Sequence, residues 1–278
     1  MTSFAGQVLF ESVIVPAVVS GLVVLPTRWL CHRVSLVLIY AAGFFAAIAA
    51  SYILTFGWPS TPALGARQKI AILAAVCLLI GIGLSLWKPR LLSLLTTLLV
   101  AGPLWIGWPL LMHGRSDAVL LTLPLIMAPI IAGFWTYDQS TPSTFDAGER
   151  CILMVIMAIG LAMIALFART LSITQLSLAL ASTLTAAALA GRKPPPILLI
   201  AGTAMLSGIL TALLLYSEAN VPAMFILSGI LLLPALQRFF SGVSIIRGSP
   251  WPVYFAAIML TAIAVSITWI DAGSISVY

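Results

Sequence analysis

Long apolar runs, separated by short polar breaks, follow one another along the whole chain. Most of them are about 20 residues long, which is the length that an α-helix needs to cross the hydrocarbon core of a membrane. The two runs on either side of Arg169 and Thr170 are so close together that we expect a tight helical hairpin there. The pattern predicts ten transmembrane helices, over residues 8–27, 34–56, 69–87, 91–112, 118–137, 151–168, 171–190, 196–216, 221–240 and 252–270.

The composition agrees with this pattern. The chain is 62% hydrophobic and only 7% charged, and its mean hydropathy is +1.18. A soluble domain needs far more charge to cover its surface, and the strands of a membrane barrel would alternate apolar and polar residues. We therefore predict an all-α fold: a polytopic integral membrane helix bundle that forms a single membrane domain, residues 1–278, in a lipid bilayer.

The basic residues predict the orientation of the chain. The net charge is +6, but Lys and Arg stand singly or in pairs between apolar runs, so nucleic acid is not an expected partner. With the N-terminus outside, nine of the 13 Lys and Arg residues fall in inside connections and four fall in outside connections, as the positive-inside rule requires. We expect a multi-pass protein of a plasma membrane of the bacterial inner-membrane type, with both termini outside the cytoplasm.

A polar segment near the middle of the chain divides the predicted helices into two sets of five. Residues 138–149 form this linker, between the halves 1–137 and 150–278. Five is an odd number, so the second half would enter the membrane from the opposite side and form an inverted repeat. Pro103 and Pro234 lie at similar depths of the fourth and ninth predicted helices. Interrupted helices at corresponding positions indicate a binding site near the midplane of the membrane.

The repeat is one of two interpretations of the prolines. Pro124 and Pro129 lie in the fifth predicted helix and have no counterparts in the tenth, as expected if prolines are simply scattered through membrane helices. Ten helices in two inverted halves would resemble the drug/metabolite transporter superfamily in architecture. No sequence motif carries this likeness, and members of that superfamily usually keep both termini in the cytoplasm, so we assign the chain to no family.

Glu11 is nearly the only ionisable residue inside a predicted span, and such residues suggest a function. It lies one turn into the first helix, about 5 Å from its start at 1.5 Å per residue. There it can reach headgroups or water and the favourable end of the helix dipole. The alternative is a proton-coupling carboxylate or a cation contact, with Pro16 opening the helix beside it.

The predicted helix 171–190 is the most polar of the spans. Gln175 and Ser182 fall roughly on one side of it, together with other hydroxyl residues. These groups either bond to neighbouring helices or line a wet path for a solute. In the second predicted helix, small residues one turn apart, such as Gly43 and Ser51, indicate close packing against another helix or a partner subunit.

The sequence contains no arrangement of residues that is typical of catalysis or metal binding. Cys31, Cys77 and Cys151 form no CxxC pair, and His32 and His113 are predicted on opposite sides of the membrane. There is no GxSxG, HExxH or P-loop motif. We therefore expect no enzymatic activity, no cofactor and no bound metal.

Two functions are compatible with these observations. The first is a small-solute transporter, with Glu11, Pro103, Gln175, Ser182 and Pro234 along the substrate path. The second is a non-catalytic accessory or anchoring subunit of a larger complex, whose partners would be other membrane subunits. The scarcity of charge within the spans and the small-residue ridges favour this alternative.

Overall fold

The computed structural model describes residues 4–30, 36–58, 65–86, 91–112, 147–189, 196–217, 219–233 and 251–275. Every regular element within these ranges is helical, which confirms the all-α class for this part of the chain. In chain order the elements are α1 (Phe4–Leu9), a π-helical segment (Phe10–Ile14), α2 (Val15–Leu30), α3 (Leu36–Phe56), α4 (Ala66–Leu86), α5 (Leu91–Met112), α6 (Ala147–Phe167), α7 (Leu171–Leu189), α8 (Pro196–Tyr216), α9 (Val221–Ser228), a 3-10 helix (Gly229–Leu232) and α10 (Trp251–Ile275).

Several of the described helices are long and apolar enough to cross a membrane, which indicates a membrane protein. There are five of them within the described ranges: Gly6–Leu25, Leu38–Phe56, Gly148–Phe167, Leu171–Leu189 and Trp251–Gly273. The ten spans and the inverted repeat stay predictions. The predicted helix 118–137 and most of the linker 138–149 lie outside the described residues.

The helices α7 and α8 form the centre of the described bundle. α7 packs against α2, α3 and α6, whereas α8 packs against α4, α5 and α6. Leu176, Leu180 and Leu184 of α7 are among the largest side chains that are fully buried. The first and last spans lie at the outside, with only 22% of each buried. Their apolar side chains therefore face the surroundings, as expected for a bundle in lipid.

A tight hairpin joins α6 to α7, as predicted. The Thr170 N–H donates to the Ala165 carbonyl at 2.9 Å, and the Arg169 N–H donates to the Leu166 carbonyl at 3.1 Å. This pair of bonds is a Schellman motif, in which one residue takes a left-handed conformation. Arg169 is that residue, with a φ of 57°. The Thr170 hydroxyl adds a bond of 3.0 Å to the Ala165 carbonyl, which fixes the turn.

Helices approach closely where glycine removes the side chain. A Cβ atom on Gly43 of α3 would lie 3.0 Å from Val24 Cγ2 of α2, and one on Gly160 of α6 would lie 2.6 Å from Leu227 Cδ1 of α9. Gly43 and Ser51 both belong to the buried side of α3. These small residues therefore allow close packing between helices of the same chain. The sequence had suggested either this packing or contact with a partner subunit.

Candidate functional site

The first helix is interrupted by the π-helical segment Phe10–Ile14, just before Pro16. In this segment the Val15 N–H bonds to the Phe10 carbonyl, five residues back. Proline has no N–H and its ring collides with the carbonyl four residues earlier, so a regular α-helix is disfavoured here. The wider turn relieves this conflict, and π-helical turns inside α-helices are frequent at functional sites.

Pro16 provides no N–H for two carbonyls of the π segment. The carbonyl four residues before it belongs to Ser12, and the carbonyl five residues before it belongs to Glu11. Ser51 of α3 donates a hydrogen bond from its hydroxyl to the Glu11 carbonyl at 2.9 Å. The Ser182 hydroxyl of α7 lies 3.5 Å from the Ser12 carbonyl. Two neighbouring helices thus supply donors in place of the proline, as the apolar interior of a membrane requires.

Ser182 shares its hydroxyl between two acceptors. It also donates to the Ala179 carbonyl of its own helix, at 3.0 Å, and this shorter bond is the stronger one. The contact between Ser182 and the Ser12 carbonyl is therefore weak. Because a hydroxyl has one hydrogen and two lone pairs, Ser182 keeps acceptor capacity at the π segment.

The Ser12 hydroxyl is fully buried and has no hydrogen-bond partner within the part of the chain that the structure describes. An unpaired buried hydroxyl costs about 1–3 kcal/mol, and such groups are rare in folded proteins. The Ser12 hydroxyl belongs to the same π segment as the two carbonyls that Ser51 and Ser182 contact. This group of oxygens, at the break in the first helix, is the candidate functional site.

Glu11 contributes its carbonyl to the site, while its carboxylate has an exposed partner. Gln7 Nε2 donates to Glu11 Oε1 at 2.9 Å in exposed surroundings, and the Glu11 side chain is half-buried. This position agrees better with a residue at the edge of the membrane than with a deeply buried acid. The alternative interpretation of Glu11 included an opening of the helix by Pro16, and the π segment lies just before this proline.

The other residues predicted for the substrate path lie elsewhere. Gln175 is buried on α7, about 10 Å along the helix from Ser182 at 1.5 Å per residue. Pro103 is buried on α5, which continues through it and which packs mainly against α4 and α8. Pro234 lies outside the described residues. The structure thus places Ser182 at the carbonyl of Ser12, the neighbour of Glu11 in the sequence. It places Gln175 and Pro103 in other parts of the bundle.

A groove of about 730 Å³ lies beside the π segment, between α2, α6 and α7. Its wall is apolar except for the hydroxyls of Ser182 and Thr185. The Thr185 hydroxyl is already bonded to the Ala181 carbonyl of its own helix, at 2.8 Å. Ser182 is therefore the residue that connects the groove with the oxygens of the candidate site.

A second proline, Pro109 on α5, also leaves a backbone carbonyl that a side chain of a neighbouring helix bonds. Lys69 Nζ of α4 donates to the Trp105 carbonyl, four residues before Pro109, at 3.0 Å. The Tyr216 hydroxyl of α8 donates to the next carbonyl, that of Ile106, at 2.7 Å. Side chains from neighbouring helices thus stabilise α5 at the place where proline removes a backbone donor.

Sequence reasoning missed the part that Ser12 and Ser51 play. The available signal for Ser12 was a serine four residues before a proline in an apolar run, because this is the residue whose carbonyl loses its donor. Ser51 stood out only as a small packing residue. Among the described residues, no three His, Cys, Asp or Glu side chains come close enough to hold a metal ion, so the ligands that this site offers are hydroxyl and carbonyl oxygens.

No protein family, curated protein or solved structure matches the chain. The described residues show a helical membrane protein whose first span is broken before a proline and is held there by two neighbouring helices.

Proposed function

We propose that the chain is a membrane transporter for a small solute and that its first span, from α1 to α2, is the moving element. The break at the π segment carries the proposal. At this point side-chain hydroxyls at 2.9 and 3.5 Å hold carbonyls that a regular helix would bond internally. A hydrogen bond of this kind contributes only about 0.5–1.5 kcal/mol net. The contacts can therefore exchange, so that the two parts of the span move relative to each other.

The groove beside the break is the proposed path of the solute. Its volume of about 730 Å³ falls within the range of roughly 300–1000 Å³ that small-molecule sites occupy. The apolar wall suits a solute with an apolar body, and Ser182 offers a hydrogen bond to a polar group. Because Ser182 also contacts the Ser12 carbonyl, a solute in the groove would act directly on the broken span. Gln175, Pro103 and Pro234 stay predictions for other parts of the path.

The proposal includes a multi-pass arrangement in a plasma membrane with both termini outside the cytoplasm. Ten spans in two inverted halves are part of it, and four pairs of packed helices support them. α2 with α3 and α6 with α7 are the first two helices of the predicted halves, and each pair packs closely. In addition, α3 packs against α7 and α4 against α8, which are the pairs that the repeat would relate. We assign no catalytic activity and no cofactor to the chain.

The test is solute exchange by the purified chain in proteoliposomes. A panel of labelled small molecules with apolar bodies is compared with vesicles that contain no protein. Pro16→Ala returns an N–H to the backbone of the break, and we expect about tenfold slower exchange, since one hydrogen bond of about 1.4 kcal/mol corresponds to that factor in rate. Pro222→Ala is the matched control, because Pro222 lies in the first turn of α9, where proline is tolerated.

A non-catalytic accessory or anchoring subunit is the second candidate. It is favoured by exposed apolar side chains on the first and last spans, such as Leu22, Leu25, Trp269 and Ile270. A surface of this kind suits a partner helix as well as lipid. Purification in a mild detergent separates the two candidates. Partner proteins in fixed stoichiometry would favour the subunit, whereas a chain that purifies alone would favour the transporter.

A further inference from the structure

Five oxygen atoms of the π segment, α3 and α7 lie at or beside the break in the first span. Two are the backbone carbonyls of Glu11 and Ser12, and three are the hydroxyls of Ser12, Ser51 and Ser182. The Ser51 hydroxyl is 2.9 Å from the Glu11 carbonyl, and the Ser182 hydroxyl is 3.5 Å from the Ser12 carbonyl. The three serines are buried, with exposed fractions of 0%, 3% and 9%. The three serine side chains are therefore largely closed to solvent.

Hydrogen bonds within the chain leave this group with unused lone pairs. Each hydroxyl has one hydrogen and two lone pairs, and each carbonyl oxygen has two lone pairs as well. Ser51 and Ser182 direct their hydrogens at carbonyls, and the Ser12 hydroxyl has no partner among the described residues. Clustered oxygen lone pairs are the ligands that hard cations prefer. In transporters, backbone carbonyls that a break in a helix sets free serve as such ligands.

The charge around the group favours a monovalent ion over a divalent one. All five ligands are neutral, and Glu11 carries the single carboxylate in the sequences of α1, the π segment, α2, α3 and α7. Divalent calcium is usually held by several carboxylates. Neutral oxygen ligands therefore suit a monovalent ion better than a divalent one.

We propose that the break in the first span binds a sodium ion, with the Glu11 and Ser12 carbonyls and the hydroxyls of Ser12, Ser51 and Ser182 as ligands. The inference rests on the proposed transport function, in which a sodium gradient drives a solute through the adjacent groove. When sodium binds, the Ser51 and Ser182 hydroxyls rotate so that their lone pairs face the ion. The ion then holds the first span against α3 and α7, and its loss releases the span.

Sodium binding is measured through the unfolding temperature of the purified full chain in detergent, with sodium chloride exchanged for choline chloride at constant ionic strength. A ligand that binds only the folded state stabilises it as its concentration rises, so we expect the unfolding temperature to rise with sodium and to stay constant with potassium or choline. Ser51→Ala and Ser182→Ala should each raise the sodium concentration needed for a given rise by about tenfold, as loss of a supporting group does at metal sites.

Ser177→Ala is the matched control for these variants. Ser177 is fully buried on α7, but its hydroxyl donates to the Ile173 carbonyl of the same helix at 2.8 Å. Removal of this hydroxyl takes nothing from the proposed site. The Ser177→Ala chain should therefore keep the sodium response of the original chain.

Direct binding of radioactive sodium to the original chain keeps the test decisive even if a variant does not fold. The absence of both binding and a sodium-specific temperature rise overturns the site. A potassium response as large as the sodium response also overturns it, as does an unchanged sodium response in folded Ser51→Ala and Ser182→Ala chains. Sodium binding without solute exchange in proteoliposomes would support the site and contradict the proposed transport function. Solute exchange by a chain that binds no sodium would support the transport function and contradict the sodium site.

Discussion

The Lys69 ammonium group donates a hydrogen bond of 3.0 Å to the Trp105 carbonyl, which is the carbonyl that Pro109 deprives of its backbone donor. Only 7% of the Lys69 surface is exposed, and its nitrogen lies 5.6 Å from the centroid of the Trp105 ring. A carbonyl dipole and an aromatic face replace part of the hydration that a buried cation loses. The proline in α5 and the lysine in α4 therefore stabilise each other's positions.

Substitution of Lys69 is expected to destabilise the bundle through this carbonyl. Lys69→Met keeps an apolar stem of similar length but removes the donor. We expect the free energy of unfolding to fall by roughly 1.5–3 kcal/mol, the range for hydrogen bonds to charged groups. Pro109→Ala restores an N–H four residues after Trp105, so it should recover part of the loss in the Lys69→Met chain. A double-mutant cycle on unfolding in detergent measures this coupling, and additive effects would contradict it.

The hydrogen bond from Ser51 to the Glu11 carbonyl should stabilise the break in the first span. Ser51→Ala is expected to lower the free energy of unfolding by about 1 kcal/mol, because the partly buried Glu11 carbonyl loses a donor. Ser177→Ala removes a hydroxyl that is equally buried but bonds only within its own helix, and it should cost less. Unfolding of both variants in one detergent makes the comparison. Equal losses in the free energy of unfolding would show that the bond to the Glu11 carbonyl adds no more stability than a bond within one helix.

The hairpin between α6 and α7 should become more stable when glycine replaces Arg169. At a φ of 57° a residue with a Cβ atom is strained by roughly 1–2 kcal/mol, whereas glycine is not. Arg169→Gly should therefore raise the unfolding temperature. Arg169→Ala is the control, because it removes the same charge and keeps the strain. If the glycine and alanine variants unfold at the same temperature, the left-handed conformation carries no cost at this position.

Five of the described helices could be predicted because each is an apolar run of membrane length. The range 171–190 differs from the observed Leu171–Leu189 by one residue. The first helix shows the limit of this reasoning. Its hydrophobic run continues through Phe10–Ile14, so hydropathy gives no sign of the change from α to π winding. Pro16 is the local signal, and it indicates an opening without specifying its geometry.

The candidate site could be predicted only in part. Glu11 and Ser182 stand out as polar residues within apolar runs, but Ser12 and Ser51 look like small packing residues. Their contacts join positions 40 and 170 residues apart in the sequence, and spacing along a single helix does not report such contacts. Gln175 shows the same limit. Helical periodicity predicts the side of α7 on which Gln175 lies, but it does not predict which residues of the neighbouring helices lie at the same level.

Gly160 is a position where a side chain is excluded by two other helices. A Cβ atom there would lie 2.6 Å from Leu227 Cδ1 of α9 and 3.0 Å from Thr261 Cγ2 of α10. Overpacking a well-packed contact costs about 1–3 kcal/mol, so Gly160→Ala should lower the free energy of unfolding by that amount. Gly21→Ala is the control, because the nearest atom to its Cβ position is Leu25 Cδ1 at 4.0 Å.

The two glycine substitutions should have opposite signs. In the middle of a helix alanine is favoured over glycine by roughly 0.5–1 kcal/mol, so Gly21→Ala should stabilise the chain, whereas the clash at Gly160 outweighs this gain. Leu227→Ala leaves a cavity next to Gly160 that the alanine of Gly160→Ala can partly fill, so the double variant should lose less than the sum of the single losses. Unfolding of the original chain, the two single variants and the double variant in one detergent measures the coupling between Gly160 and Leu227. A stabilising Gly160→Ala would show that α6 and α9 can separate at this contact without cost.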